Sequence, residues 1–121
     1  MRLGVTKKIL CKANNGTKGT DSMVEINGKL FDWDAKKNLI NIEKHGVSFK
    51  MAASAFFDPR AIIVDDDVHS QNEDRFILIG VNKYDKLLTV CHCYRDDRNV
   101  IRIISARKPN QIEQEIYGGD V

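Results

Sequence analysis

The stretch LLTVCHCYRDDRNVIRIISARKP, residues 87–109, reads as a β-hairpin. Residues 87–95 and 100–106 are runs of β-branched, aromatic and small apolar side chains, and the turn formers Asp96-Asp97-Arg98-Asn99 stand between them. If Asp97-Arg98 centres a tight turn, Arg95 faces Val100 and Cys93 faces Arg102. Arg95, Cys93, Arg102, Cys91 and Ile104 then share one sheet face, and Tyr94, His92, Ile101, Ile103 and Ser105 share the other. A three-residue loop would shift this register by one and exchange the partners. Arg102 and Arg107 differ by an odd number of positions, so a regular strand sends them to opposite faces. Either Arg107 lies past the strand end, or a bulge intervenes near Ser105-Ala106.

Arginine is costly to hold near a core without an anionic partner, and Arg95, Arg98, Arg102 and Arg107 all fall in or beside this hairpin. Arg75 stands one strand earlier. Carboxylate pairing or protection of a strand edge would explain one of them. The whole set also fits phosphate, which guanidinium groups bind bidentately and without losing charge.

Working outward, 121 residues allow one domain, and 42% apolar with 30% charged residues suffices for one modest core. No apolar run is long enough to span a bilayer or to form a signal-peptide core, so a cytoplasmic protein is expected. Cys11, Cys91 and Cys93 fit that compartment as reduced thiols. The net charge of +2 divides unevenly: residues 1–30 hold six Lys/Arg and two Asp/Glu, a balance of +4, and residues 31–121 hold thirteen and fifteen, a balance of −2. The main body therefore cannot attract nucleic acid through its overall field, and any RNA site must be local.

Residues 1–22, with their polar, glycine-containing end, read as a flexible leader or arm, from an upstream start codon or as a basic tail with a partner; residues 23–121 read as the domain. Residues 24–33 form a strand or hairpin with Asn27-Gly28 as the turn signal. Asp34 caps a helix that places Ala35, Leu39 and Ile42 on one face, and Gly46 ends it. Ser48 caps a second helix carrying Phe49, Ala52, Ala53 and Phe56, which Pro59 closes. Strands follow from residue 61 and over residues 75–81, and Asn110 with Glu113 three positions on opens a short last helix. The expected fold is α+β: an antiparallel meander sheet with two N-terminal helices and a short C-terminal helix packed on it.

Five pieces of this chain, in order, resemble the BrnT family, toxins of type II toxin–antitoxin modules with a RelE-like fold. They are Phe31-Asp32-Trp33-Asp34, Lys44-His45-Gly46-Val47-Ser48-Phe49, Phe56-Phe57-Asp58-Pro59, residues 74–80 and residues 101–108. A family member would usually carry Glu where Met51 stands. The resemblance implies an endoribonuclease that cleaves mRNA, restrained by a BrnA-like antitoxin, with operator DNA bound only through the toxin–antitoxin complex. The alternative from the residues alone is a non-enzymatic module that docks an acidic partner on its arginine face.

RNA cleavage without a metal needs a base for the 2′-hydroxyl, cations for the phosphorane and an acid for the leaving 5′-oxygen. Arg75, Arg95, Arg102 and Arg107 are the candidate cations, and His45 and His92 the near-neutral titrators outside the acidic loop, which holds His69. His45 has an ordinary alternative role at a helix C-terminus, and His92 one as a satisfied sheet residue. Lys44, Tyr94, Arg98, Lys108 and Tyr117 are candidate RNA contacts, the tyrosines as stacking platforms. No cofactor motif occurs. A metal at Cys91-His92-Cys93 is disfavoured because strand alternation splits the histidine from the thiols, and the acidic run Asp65 to Asp67 with Glu73 and Asp74 reads as a solvated loop.

Overall fold

Asn27 and Gly28, at φ 47° and 87°, form the left-handed pair that a tight hairpin requires, and they join β1 (Asp21–Ile26) to β2 (Lys29–Asp34). The computed structural model describes residues 21–118; the expected arm falls outside them except for Asp21 and Ser22, which open β1. Asp34 accepts hydrogen bonds from Lys36 N (2.8 Å) and Lys37 N (3.4 Å) to start α1 (Ala35–His45). Gly46, at φ 72°, ends it with its N–H donating to Ile42 O. Ser48 Oγ accepts from Met51 N and caps α2 (Phe49–Ala53), a short helix that tightens into a 3-10 turn (Ser54–Phe57). There follow β3 (Ile62–Asp65), a 3-10 turn (Asp67–His69), β4 (Phe76–Val81), β5 (Leu87–Arg95), β6 (Val100–Arg107) and α3 (Gln111–Gly118). Asn110 and Glu113 cap α3 reciprocally: Glu113 N donates to Asn110 Oδ1 at 2.8 Å and Asn110 N donates to Glu113 Oε1 at 2.9 Å.

The six strands form one sheet in the order β1-β2-β6-β5-β4-β3. Strands β3 to β6 are the expected meander, but β2 lies parallel to β6, with Leu30 beside Val100 and Asp32 beside Arg102. The sheet is therefore mixed, which corrects the antiparallel expectation. The N-terminal hairpin completes the sheet along the free side of β6, because β5 already occupies the other. The helices also differ from expectation, since the second is a single α turn continued as 3-10.

The tight turn holds as read: Arg95 faces Val100, Tyr94 faces Ile101 and Cys93 faces Arg102. Beyond it, His92 faces Ile103 but Cys91 faces Ser105, so Ile104 is the extra residue of a bulge. Ser105 thereby joins the face of Cys91, a correction, and Arg107, opposite Thr89, joins the face of Arg102.

One face of the sheet packs on α1, α2 and the first 3-10 turn, and Phe31, Phe49, Leu78, Val90 and Ile103 are fully buried between them. Each such side chain contributes roughly 1.5–3 kcal/mol. Phe31 meets Phe56 and Phe57 edge-on at 5.5 and 6.2 Å. Helix α1 docks differently from its expected stripe. Leu39 is 66% exposed and Ile42 40%, while Asn41 is 5% exposed. Asn41 Nδ2 donates to Val47 O (2.9 Å) and Ala106 O (2.8 Å), and its Oδ1 accepts from Ala106 N (3.1 Å). The helix is thus held to β6 by a buried amide.

Candidate active site

The sheet face away from α1 and α2 carries the arginines. The register puts Arg102 beside Cys93, and Arg75, immediately before β4, falls across from Cys93 on the other side. Arg95 closes the same end. Arg107 lies four pairs further along β5, about 13 Å at strand spacing. Three of the expected cations gather at one end of the face, and the fourth does not join them.

Carboxylates divide these arginines further. Arg107 forks onto Glu113 at 2.8 and 2.9 Å, and Arg102 Nη1 donates to Asp32 Oδ1 at 3.0 Å. Glu73 lies between the other two, 3.8 Å from Arg75 Nη2 and 3.5 Å from Arg95 Nη2. Both are longer than ordinary charge-assisted hydrogen bonds, and Arg75 Nε is buried with no hydrogen-bond partner. Arg75 thus keeps a donor in reserve, while Arg95 also hydrogen-bonds the Cys93 sulfur and Arg107 has committed both arms to Glu113.

The loop before β4 adds two groups that sequence reasoning set aside as solvated. Glu73, His69 and Arg75 line a depression of about 300 Å³. His69 Nδ1 donates to Asp66 Oδ2 at 2.9 Å, which leaves Nε2 outside that bond. Asp66 is buried, and the Cys91 thiol also points at it, Sγ to Oδ2 3.7 Å. The Cys93 thiol points at Glu73 Oε2, 3.6 Å away. Burial, with the neighbouring Asp66 charge, pushes the Cys91 thiol up to about 11, and burial raises that of Cys93, so neither is a nucleophile at neutral pH. The only hint of His69 in the sequence was its spacing of three from Asp66 in a loop without periodicity.

His92 does not stand on this face. It is fully buried on the helix side, edge-on to Phe56 at 4.8 Å and to Tyr94 at 5.2 Å. Its Nδ1 donates to Val90 O at 3.2 Å, and its Nε2 accepts from the Tyr94 hydroxyl at 3.2 Å. Burial lowers its pKa to about 4, so the ring is neutral. Tyr94 shares its face, with the Arg98 guanidinium 4.9 Å from its ring centroid. His45 and Lys108 come together elsewhere, with Lys86, around a cleft of about 430 Å³ between the end of α1 and Pro109. Lys44 is exposed on the last turn of α1. Tyr117 donates to Asp58 Oδ2 at 2.7 Å and fastens α3 to the segment before β3. Among the described residues no cluster of three His, Cys, Asp or Glu side chains could hold a metal, and no helix is long and apolar enough to cross a membrane.

The chain is a small α+β domain with a six-stranded mixed sheet, α1 and α2 on one face and, on the other, guanidinium groups with carboxylate and imidazole neighbours, groups that can bind a phosphate ester and exchange protons with it. The model of the family described as "Ribonuclease toxin, BrnT, of type II toxin-antitoxin system" matches residues 33–113, more than half of the chain, and the chain belongs to that family. A similar solved structure is the crystal structure of the Brucella abortus ribonuclease toxin BrnT, at 23% identity and TM-score 0.49, with 65% of this chain and 94% of that one covered. No curated protein matches significantly.

Proposed function

We propose that this member is an endoribonuclease toxin and that it cleaves at the end of the outer face where Arg75 and Arg95 flank Glu73. The observation that carries the reading is Arg75: its Nε has no partner and its nearest carboxylate stands 3.8 Å away, the condition of a guanidinium kept for an anion. Family membership supports the same activity. In the proposed reaction Glu73 takes the proton of the RNA 2′-hydroxyl, whose oxygen attacks the adjacent phosphorus. Arg75 and Arg95 hold the charge that builds on the non-bridging oxygens. His69, held by Asp66, gives a proton to the departing 5′-oxygen. The products are a 2′,3′-cyclic phosphate and a 5′-hydroxyl. Arg102 and Arg107 act in this account by holding Asp32 and Glu113, and the His45–Lys108 cleft lies apart from the chemistry.

The family also implies an antitoxin. We place its grip on the arginine end of the sheet, where a BrnA-like protein would cover the site; operator DNA is reached only through that complex. The test is expression of the chain alone, followed by assay of the purified protein on RNA. Growth arrest and cyclic-phosphate products, unaffected by EDTA, are expected. Products with 5′-phosphates, or cleavage that EDTA stops, would replace this scheme with a metal-dependent one. Absence of both arrest and cleavage would leave the docking module as the reading.

A further inference from the structure

The tip of the β5–β6 hairpin is built at a cost. Asp96, Asp97 and Arg98 follow one another at φ 55°, 57° and 70°, and none is glycine. L residues rarely adopt this region, because Cβ crowds the following carbonyl. The turn brings the Arg98 guanidinium over two rings, 4.9 Å from the centroid of Tyr94 and 5.7 Å from that of Phe76. Those rings lie 5.4 Å apart. Tyr94 is fixed from below, since its hydroxyl donates to the buried His92, which is itself tied to Val90 O. Beside this stack a groove of about 440 Å³ opens, bounded by Tyr94, Arg98, Phe56, Ile63 and, across from them, Gly28 and Lys29 of the β1–β2 turn.

We propose that this groove receives one unpaired base of a single-stranded RNA, next to the phosphate that is cut on the outer face. The proposal rests on the ribonuclease reading. It adds that the substrate must be single-stranded at the flanking position. A part-apolar groove beside an immobilised aromatic ring that carries a guanidinium on its face suits a nucleobase, which stacks on rings and guanidinium planes alike. Lys29 and Arg98 supply cations at the rim for the backbone. The Asp58 carboxylate, also at the groove, is occupied by Val81 N, Arg60 N and the Tyr117 hydroxyl. The site also adjoins the proposed centre: Arg95, on the outer face beside Glu73, and Arg98, on the inner, flank the same turn. A strand crossing the hairpin tip would meet both. His92 in this account is a positioning residue, acting through Tyr94.

The experiment uses Arg98→Gly, because glycine relieves the left-handed backbone while removing the guanidinium. Binding is measured with a fluorescein-labelled, fully 2′-O-methylated single strand, which cannot be cut, and with its duplex. Arg98→Gly should melt at or above the wild-type temperature yet bind the single strand about tenfold more weakly, as loss of one stacking partner does. Duplex binding should not change. Tyr94→Ala should show the same selectivity. Equal losses for strand and duplex would mean that Arg98 acts only as a charge, and a lower melting temperature that it serves only the fold; either overturns the proposal. Wild-type binding and cleavage with unaltered single-strand affinity in both variants would remove this subsite and leave the ribonuclease intact. Weakened antitoxin binding with unaltered RNA binding would make the groove a protein contact. A wild-type protein that neither binds nor cuts RNA would end both readings.

Discussion

Arg107 holds Glu113 through both arms of its guanidinium, Nη1 to Oε1 at 2.8 Å and Nη2 to Oε2 at 2.9 Å. The same carboxylate accepts from Thr89 Oγ1 at 2.9 Å and from Asn110 N, so one side chain joins β5, β6 and the start of α3. The Arg107 bonds, working against desolvation, hold Glu113 down to about 2, below its ordinary 4.5. A depressed carboxylate stabilises the fold fully above its unfolded pKa and loses that contribution as pH falls toward the folded one. Glu113→Gln should therefore cost about 1–2 kcal/mol at pH 7, the lower part of the range for charged hydrogen bonds because Arg107 is partly open to water. Urea melts from pH 7 to 2 should show the gap between the two proteins closing between about pH 4.5 and 2. A gap that stays constant would mean that the charge of Glu113 contributes nothing.

Arg75 should matter to turnover more than to affinity or stability. It is proposed to meet charge that develops only in the transition state, so Arg75→Ala should lower kcat about a hundredfold with a much smaller change in RNA affinity. Arg107→Ala should do the reverse, since its bonds are to Glu113. Single-turnover cleavage and urea melts on both variants separate the two roles. Equal kinetic losses without a stability difference would return Arg107 to the active site.

His92 should make the fold sensitive to mild acid. Its pKa falls from an ordinary 6.5 to about 4 in the buried site, so the unfolded chain takes up a proton that the folded chain refuses. Stability is then complete above about pH 6.5 and drains as pH falls toward 4, by up to about 3 kcal/mol. His92→Phe, which leaves the Tyr94 hydroxyl without its acceptor, should be less stable at pH 7 but flat across this window. A wild-type chain just as flat would show that water reaches the ring.

Asn41 should outweigh the apolar residues beside it. Asn41→Ala strands Ala106 N, Ala106 O and Val47 O in the interior, at roughly 1–3 kcal/mol each if none is resatisfied, whereas Leu39→Ala on the exposed flank should stay within about 0.5 kcal/mol. Thermal melts of the two variants decide the order, and a larger loss for Leu39→Ala would put that flank against another surface.

That reversal marks where the sequence stops being legible. Turn chemistry and caps act over a few residues, so the Arg95–Val100 register, the Asp34, Ser48 and Asn110 caps and the Gly46 stop could be read directly. The odd spacing of Arg102 and Arg107 pointed to a bulge as one of two solutions, and the extra residue is Ile104. What α1 packs against depends on partners far along the chain. A stripe of Ala35, Leu39 and Ile42 looks like a core face until Ala106 supplies an amide-shaped site for Asn41. The parallel β2–β6 pair is invisible for the same reason, as local order suggests only a meander. His69 and Glu73 lie in a loop whose polarity reads as solvation, and only Asp66 and the β4–β5 register bring them beside Arg75 and Arg95.

The pairing of β2 with β6 also sets a clock on synthesis. Asp32 meets Arg102 across 70 residues of chain, and at roughly 5–20 residues per second that separation takes about 4–14 s to translate. Until then the β1–β2 hairpin has no further strand to pair with, and the strand carrying Arg102 does not yet exist. The activity proposed for the outer face is thus withheld from the nascent chain until β6 has been made.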